Sequence, residues 1–175
     1  MRETSRLCLL PCTGAIIAAV SRPSQALSAL LGAAVPEGWP QFPDDYRTLA
    51  GLWSDDEAHW WVYIFLSRDR KRIIGSGGYK GPPREGSVEI GYEIAPEYRR
   101  RGYATEAAHG LVLAALEHPD VRLVCAHTHP LPRGEASIRV LQAIGFEAAG
   151  TADDPQEGEV LRWEFRGTAE GARVR

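Results

Sequence analysis

The sequence predicts an α/β domain in which a run of antiparallel strands is followed by alternating strands and helices. Residues 88–94 (VEIGYEI) alternate strictly, with Val88, Ile90, Tyr92 and Ile94 on one face and Glu89, Gly91 and Glu93 on the other. Ala104, Ala107, Ala108, Leu111, Val112 and Ala115 recur at helical spacing and form one apolar stripe. Residues 135–144 make a second helix with Ile138, Leu141 and Ile144 on one side, and Gly145 follows as its stop.

The amino-terminal residues allow two readings. Arg2 and Arg6, followed by apolar stretches at 7–10 and 15–20, resemble a secretory signal. Pro11, Thr13 and Gly14 interrupt that stretch, and Glu3 stands where a signal carries positive charge. A strand at 7–10, an N-cap at Thr13 and a helix from Gly14 account for more of the residues. Residues 14–34 continue as Ala- and Leu-rich helix, interrupted near Pro23.

Residues 35–46 (VPEGWPQFPDDY) hold three prolines and three aromatics and read as a loop with something to grip. A short helix is expected at 44–53 and a strand at 60–66. The charged run 67–72 (SRDRKR) is a solvated hairpin tip leading into Ile73 and Ile74. Pro82 and Pro83 mark a turn within 78–86, and Ala95-Pro96 ends the strand at 88–94. Further strands are expected at 121–126, from Phe146, and at 160–165. The domain is assigned to 1–166, and 167–175 to a loose tail.

At 175 residues the chain can bury a core without disulfides or a structural metal. Its 44% hydrophobic and 25% charged residues exclude a disordered or fibrous class. Lys+Arg 20 against Asp+Glu 23 leaves a net charge of -3, so the chain as a whole is not built to coat nucleic acid or an anionic membrane. No repeat period and no apolar run of membrane-span length occurs. Cys8, Cys12 and Cys125 cannot all pair within one chain and form no CxxC or Cys/His cluster. They read as reduced, buried thiols in a cytoplasmic protein.

Residues 94–105 carry the chemistry. A strand ends, a loop holds Arg99, Arg100 and Arg101, and Gly102 opens a helix. A helix start presents unpaired N–H groups and the positive end of the dipole, which suits a phosphate. Gly102 and Ala104 let an anion approach the backbone, and the arginines add charge. The segment is neither a P-loop, lacking the Gly-Lys-Ser/Thr ending, nor GxGxxG.

Arg99-Arg100-Arg101-Gly102-Tyr103-Ala104 does match the acetyl-coenzyme A motif [Q/R]xxGx[G/A], set within VEIGYEIAPEYRRRGYATEA. Downstream, EASIRVLQAIGF (135–146) resembles the second cofactor-side helix of the same family. Together they resemble the GNAT N-acetyltransferases, above all the RimJ/RimL-like branch, over roughly residues 60–165. The resemblance implies a mixed, mostly antiparallel central sheet flanked by helices, with a splayed central strand pair that receives the pantetheine arm. It implies backbone contacts from Ile94 to that arm. It also implies a pyrophosphate held by Arg99 and by the amides of Arg101, Gly102, Tyr103, Ala104 and Thr105. The implied reaction is transfer of the acetyl group of acetyl-coenzyme A to an amine by direct attack in a ternary complex. No metal takes part. The acceptor is a small molecule or a protein N-terminal amine, with neither nucleic acid nor membrane as partner, and the branch commonly forms homodimers.

Ser137 matches the serine of the branch's Asn-x-Ala-Ser pattern, where a hydroxyl faces the coenzyme A sulfur. The alternative is a serine that satisfies backbone groups at a helix start. The Asn position is Gly134 here, so a side-chain contact to the cofactor is missing or made by backbone. Glu89 and Glu93 share a strand face, and either can take a proton through water or simply pair with an arginine. Glu89 is the chosen base. His127 and His129 also share a face but lack a third ligand, so no metal is assigned to them. Trp39, Phe42, Tyr46, Trp60 and Trp61 lie where the family builds its acceptor pocket, and core packing is their other reading. Two further functions stand beside catalysis: a coenzyme-A-binding sensor or regulatory module without turnover, and a binder of another nucleotide phosphate at the same helix start.

Overall fold

A computed structural model of the chain describes residues 1–52, 55–155 and 157–167. Eight strands form one sheet in the order β1-β2-β3-β4-β5-β6-β8-β7. They are β1 (Arg2–Glu3), β2 (Leu7–Pro11), β3 (Val62–Ser67), β4 (Ile73–Tyr79), β5 (Ser87–Ile94), β6 (Leu123–Thr128), β7 (Glu147–Asp154) and β8 (Gly158–Phe165). Every neighbouring pair is antiparallel except β5 with β6. The helices are α1 (Gly14–Val20), α2 (Ser24–Leu31), α3 (Pro43–Leu52), α4 (Tyr103–Leu116) and α5 (Glu135–Ala143).

Alternation along the strands builds two cores. Leu7, Leu9, Tyr63 and Phe65 pack with α4 and α5, while Cys8, Ile64 and Leu66 pack with α1 and Leu27 of α2. Helices on both faces explain why β2 and β3 are apolar throughout instead of alternating with polar residues. The amino-terminal segment folds as a strand and a helix. The Thr13 side chain accepts from the Ile16 N–H and caps α1. Pro23 then separates α1 from α2, since it has no N–H to continue the ladder.

Helix α4 lies against the sheet on a stripe of small residues. Ala107, Ala108, Leu111 and Ala115 are fully buried. A Cβ at Gly110 would come within 3.1 Å of the Thr4 methyl and 3.2 Å of Leu9. This glycine therefore sits in the helix interior for close approach to β1 and β2, despite its cost to helix propensity.

Strand β4 (IIGSGGY) uses its glycines in a similar way. A Cβ at Gly75 would lie 3.0 Å from the Ile94 Cα, and one at Gly77 only 2.8 Å from the Tyr92 Cα. Such contacts draw β5 towards β4 over the half of β5 that leaves β6.

Some boundaries differ from the expected ones. The strand expected from Trp60 begins at Val62, because Trp60 closes a 3-10 turn (Asp55–Trp60) and packs edge-on against Tyr79 and His118. The strand expected at 121–126 runs over Leu123–Thr128. Arg122 and Leu123 both donate their N–H to the Gly86 carbonyl, so the chain is still turning there. Strand β1 pairs Arg2 with Leu9 and Glu3 with Cys8, and two residues are too few to show a period. Trp53, the expected end of the helix now seen as α3, and residues 168–175 of the expected tail lie outside the described residues.

Leu111 is fully buried between α4 and the sheet. Leu111→Ala is expected to lower unfolding stability by about 2–5 kcal/mol, read from urea denaturation of the two proteins.

Candidate active site

The parallel pairing of β5 with β6 covers three residue pairs, Ser87–Leu123, Val88–Val124 and Glu89–Cys125. Beyond it β5 stays with β4 as far as Ile94 opposite Gly75, while β6 stays with β8 as far as Thr128 opposite Leu161. From Ile90 and Ala126 onward the two strands no longer bond to each other, so a gap opens between their carboxyl halves. This is the splayed pair that the resemblance implies.

The loop after β5 ends at the same gap. Ile94 closes the strand, and its carbonyl accepts from Arg99 Nε at 3.0 Å. Arg99 is therefore folded back onto the strand end. Arg100 (φ 59°) and Gly102 (φ 77°) are both left-handed and turn the chain sharply into α4. The first backbone bond of the helix runs from the Glu106 N–H to the Gly102 carbonyl at 3.1 Å. Among the described residues, the amides of Arg101, Gly102, Tyr103, Ala104 and Thr105 have no acceptor. Five consecutive donors are thus left without a recorded acceptor at the positive end of a helix 14 residues long.

A network from the amino terminus braces this loop. Arg6 donates from Nη1 to the Arg101 carbonyl at 2.8 Å and from Nε to Glu106 Oε2 at 2.6 Å. Its guanidinium also lies over the Tyr103 ring, 4.5 Å from the centroid. Glu106 Oε1 accepts from the Thr4 hydroxyl and from the Arg6 N–H, each at 2.6 Å. Burial alone would raise the Glu106 carboxyl, but the hydrogen bonds from Thr4 and Arg6 outweigh it and hold the group below its ordinary value.

Ser137 stands in the first turn of α5, and its carbonyl accepts from the Tyr92 hydroxyl at 3.4 Å. Strand β5 and helix α5 therefore face each other here, and burial pushes the Tyr92 phenol up. Among the described residues the Ser137 hydroxyl has no hydrogen-bond partner. Gly134 precedes the helix, and any Cβ there would run into the His129 carbonyl. Close packing thus accounts for glycine where the branch pattern has asparagine.

Glu89, on the last paired rung of the fork, meets Lys80 Nζ and, at 3.1 Å, His127 Nδ1 through one oxygen, Oε1. Glu93 lies farther along the same face, where the Ser76 hydroxyl and the Gln41 N–H each donate to it at 2.9 Å. That face opens into a cleft of ≈ 490 Å³ whose lining includes Phe42, Tyr46, Trp61, Gly91 and Glu93. Trp39 and Trp60 are instead buried in the cores. His129 turns to Glu157, 3.1 Å away, so the two histidines engage different carboxylates. Among the described residues no group of three or more His, Cys, Asp or Glu is placed to hold a metal.

The model of the acetyltransferase (GNAT) domain matches residues 18–147. The chain belongs to the GNAT acetyltransferase family. Over 85 residues it is 34% identical to the uncharacterized N-acetyltransferase YjdG of Bacillus subtilis (strain 168), covering 48% of this chain. The chain spans about half the length of that relative, 49%. In fold it is similar to RimL, a ribosomal L7/L12 alpha-N-protein acetyltransferase solved with coenzyme A (TM-score 0.68, 15% identity, 96% of this chain and 98% of that one). It is also similar to Mycobacterium smegmatis RimJ in complex with CoA-disulfide (TM-score 0.60, 19% identity, 96% and 88%).

Within this GNAT domain the structure brings Ile94, Arg99, Gly102, Glu89 and Ser137 to one gap, and it adds residues that sequence reasoning did not connect to it. Arg6 and Thr4 reach the loop from about a hundred positions away, and no local pattern announces that contact. His127 is weighed from the sequence as a metal ligand and read instead as an ordinary polar position at a strand end, yet its Nδ1 lies 3.1 Å from Glu89. Because the Glu106 carboxyl is held below its ordinary value of 4.5, the stability it contributes is full above that value and lost as pH falls through its folded value. The difference in melting temperature between wild type and Glu106→Gln is therefore expected to be largest near neutral pH. It should shrink in a thermal-melt series taken to acid pH.

Proposed function

We propose that this protein transfers the acetyl group of acetyl-coenzyme A to an amine by direct attack, with both substrates bound together. The observation that carries the reading is the fan of five unpaired amides from Arg101 to Thr105, placed at the mouth of the gap between β5 and β6. Backbone donors at a helix start satisfy a pyrophosphate without a metal or a lysine. The gap beside Ile94 is open to an extended chain that can take up strand hydrogen bonds, which is the form of a pantetheine arm.

The remaining groups fit the needs of acyl transfer. An amine attacking a thioester must lose a proton, and the thiolate that leaves must be stabilised. Ser137 offers a hydroxyl across the gap for the sulfur, and the Glu89 carboxylate with the His127 ring beside it stands at the fork where the proton must leave. The acceptor enters from the opposite face, through the cleft lined by Phe42, Tyr46 and Glu93. Aromatic rings and a carboxylate favour an amine-bearing partner. RimL, a protein of the same fold that acetylates an alpha-amine of a ribosomal protein, supports a protein N-terminal amine or a small amine as acceptor.

A thermal-shift series with acetyl-coenzyme A, coenzyme A, ATP and NAD tests this reading. Only the coenzyme A forms are expected to raise the melting temperature, since a ligand of the folded state stabilises by mass action. No rise at saturating acetyl-coenzyme A would overturn it. Gly102→Val is expected to weaken acetyl-coenzyme A binding about tenfold or more by calorimetry, with the circular dichroism spectrum retained. A side chain there would stand in the anion's approach and press on Arg6, 3.3 Å from its Cβ. Ser137→Ala is expected to lower kcat about 10²-fold in a thiol-release assay while leaving acetyl-coenzyme A affinity unchanged.

A further inference from the structure

The Glu89 carboxylate is poorly arranged to be the proton acceptor itself. Its Oε1 faces Lys80 Nζ and His127 Nδ1 together, so the carboxylate already balances a lysine cation, and a proton placed on it would weaken that pair. What this arrangement does is hold an imidazole. We infer that His127 accepts the proton of the attacking amine at Nε2, and that Glu89 positions it. This inference rests on the acetyltransferase reading above and names the base that reading needs.

Four observations lead to His127. Val124, Ala126 and Thr128 of β6 are buried on the α4 and α5 side of the sheet, whereas Cys125 and His127 alternate onto the other face, together with Glu89. The rung Glu89–Cys125 is the last that joins the two strands. His127 is thus the first residue of β6 on that face beyond the fork, on the lip of the gap. Its Nδ1 lies 3.1 Å from the Glu89 carboxylate, which leaves Nε2 as the ring nitrogen turned away from Glu89. Finally, Nε2 is buried and has no hydrogen-bond partner among the described residues, one of two such side-chain atoms found there.

An unpartnered buried nitrogen costs stability unless something is meant to meet it. A ring nitrogen without a partner, on the strand that forms one lip of the gap assigned to a thioester, is complementary to the N–H of an amine.

The proton balance is closed. The amine nitrogen forms the bond to the acyl carbon, the C–S bond breaks, and the sulfur leaves with its electron pair. One proton passes from the nitrogen to His127 Nε2, producing an imidazolium against the Glu89 carboxylate. The ring then releases that proton to solvent, and the thiolate takes one up, giving amide and thiol. Arg162, opposite His127 on β8, and Glu164, opposite Cys125, complete the charged groups on this part of the face.

The test uses the full chain with acetyl-coenzyme A and a panel of spermidine, glycinamide and tetrapeptides beginning with Ala or Ser, followed by thiol release. His127→Ala is expected to lower kcat about 10²-fold or more with acetyl-coenzyme A affinity unchanged by calorimetry, and added imidazole should restore part of the rate. Glu89→Gln should cost less than His127→Ala, and the double variant no more than His127→Ala alone, because Glu89 acts through the ring. His127→Gln serves in its place if His127→Ala fails to fold. Wild-type turnover together with a folded His127 variant of near wild-type kcat overturns the inference and leaves the acetyltransferase reading standing. So does a loss in Glu89→Gln that exceeds the loss in His127→Ala. A wild type that binds acetyl-coenzyme A but releases no thiol with any amine of the panel overturns the catalytic reading and the inference with it.

Discussion

Strands β5 and β6 hydrogen-bond over three residue pairs and then part, and the rest of the site follows from where they do so. The cause lies in the neighbours. β4 carries Gly75, Gly77 and Gly78, which admit β5 and β3 to distances that a Cβ would forbid. β5 therefore remains with β4 through Ile94 while β6 remains with β8 through Thr128. A sheet that loses pairing in its middle exposes backbone donors and acceptors on both lips, and such groups call for a partner. The fork places Glu89 at its apex, the loop 95–102 at one mouth and Ser137 across the opening.

Much of this was legible in the chain because it is local. The alternation of 88–94, the stripe from Ala104 to Ala115 and the stop at Gly145 each follow from a period of two or 3.6 residues and from backbone conformation. The Arg99–Ala104 segment could be read for the same reason, since a helix start advertises its amides through glycine and small residues. The departure at Gly134 was visible too, but its cause was not. Only the packed structure shows the His129 carbonyl standing where a side chain would go.

The contacts that stayed hidden join distant parts of the chain. Arg6 and Glu106 are 100 positions apart, and Glu89 and His127 come together only through the pairing of β5 with β6. Trp60 and Trp61 misled for another reason. An aromatic pair before an apolar run has strand character, but the 3-10 turn ending at Trp60 uses that ring as a plug against Tyr79 and His118. Tertiary packing overrode local preference there, as it often does for short aromatic segments.

The hold of the first six residues on α4 has a mechanical side. Arg6 ties the first turn of the helix through Glu106, and Arg2 ties the far end by two bonds to Glu117, at 2.8 and 3.2 Å. Helix α4 is thus fastened at both ends, like a beam clamped at two supports, with its stripe of small residues resting on the sheet between them. A rod held in this way resists pivoting, so the amides at its tip keep their aim whether or not an anion is there to meet them. The direction in which they point is set by β1 and the turn after it, on the far side of the sheet from β6.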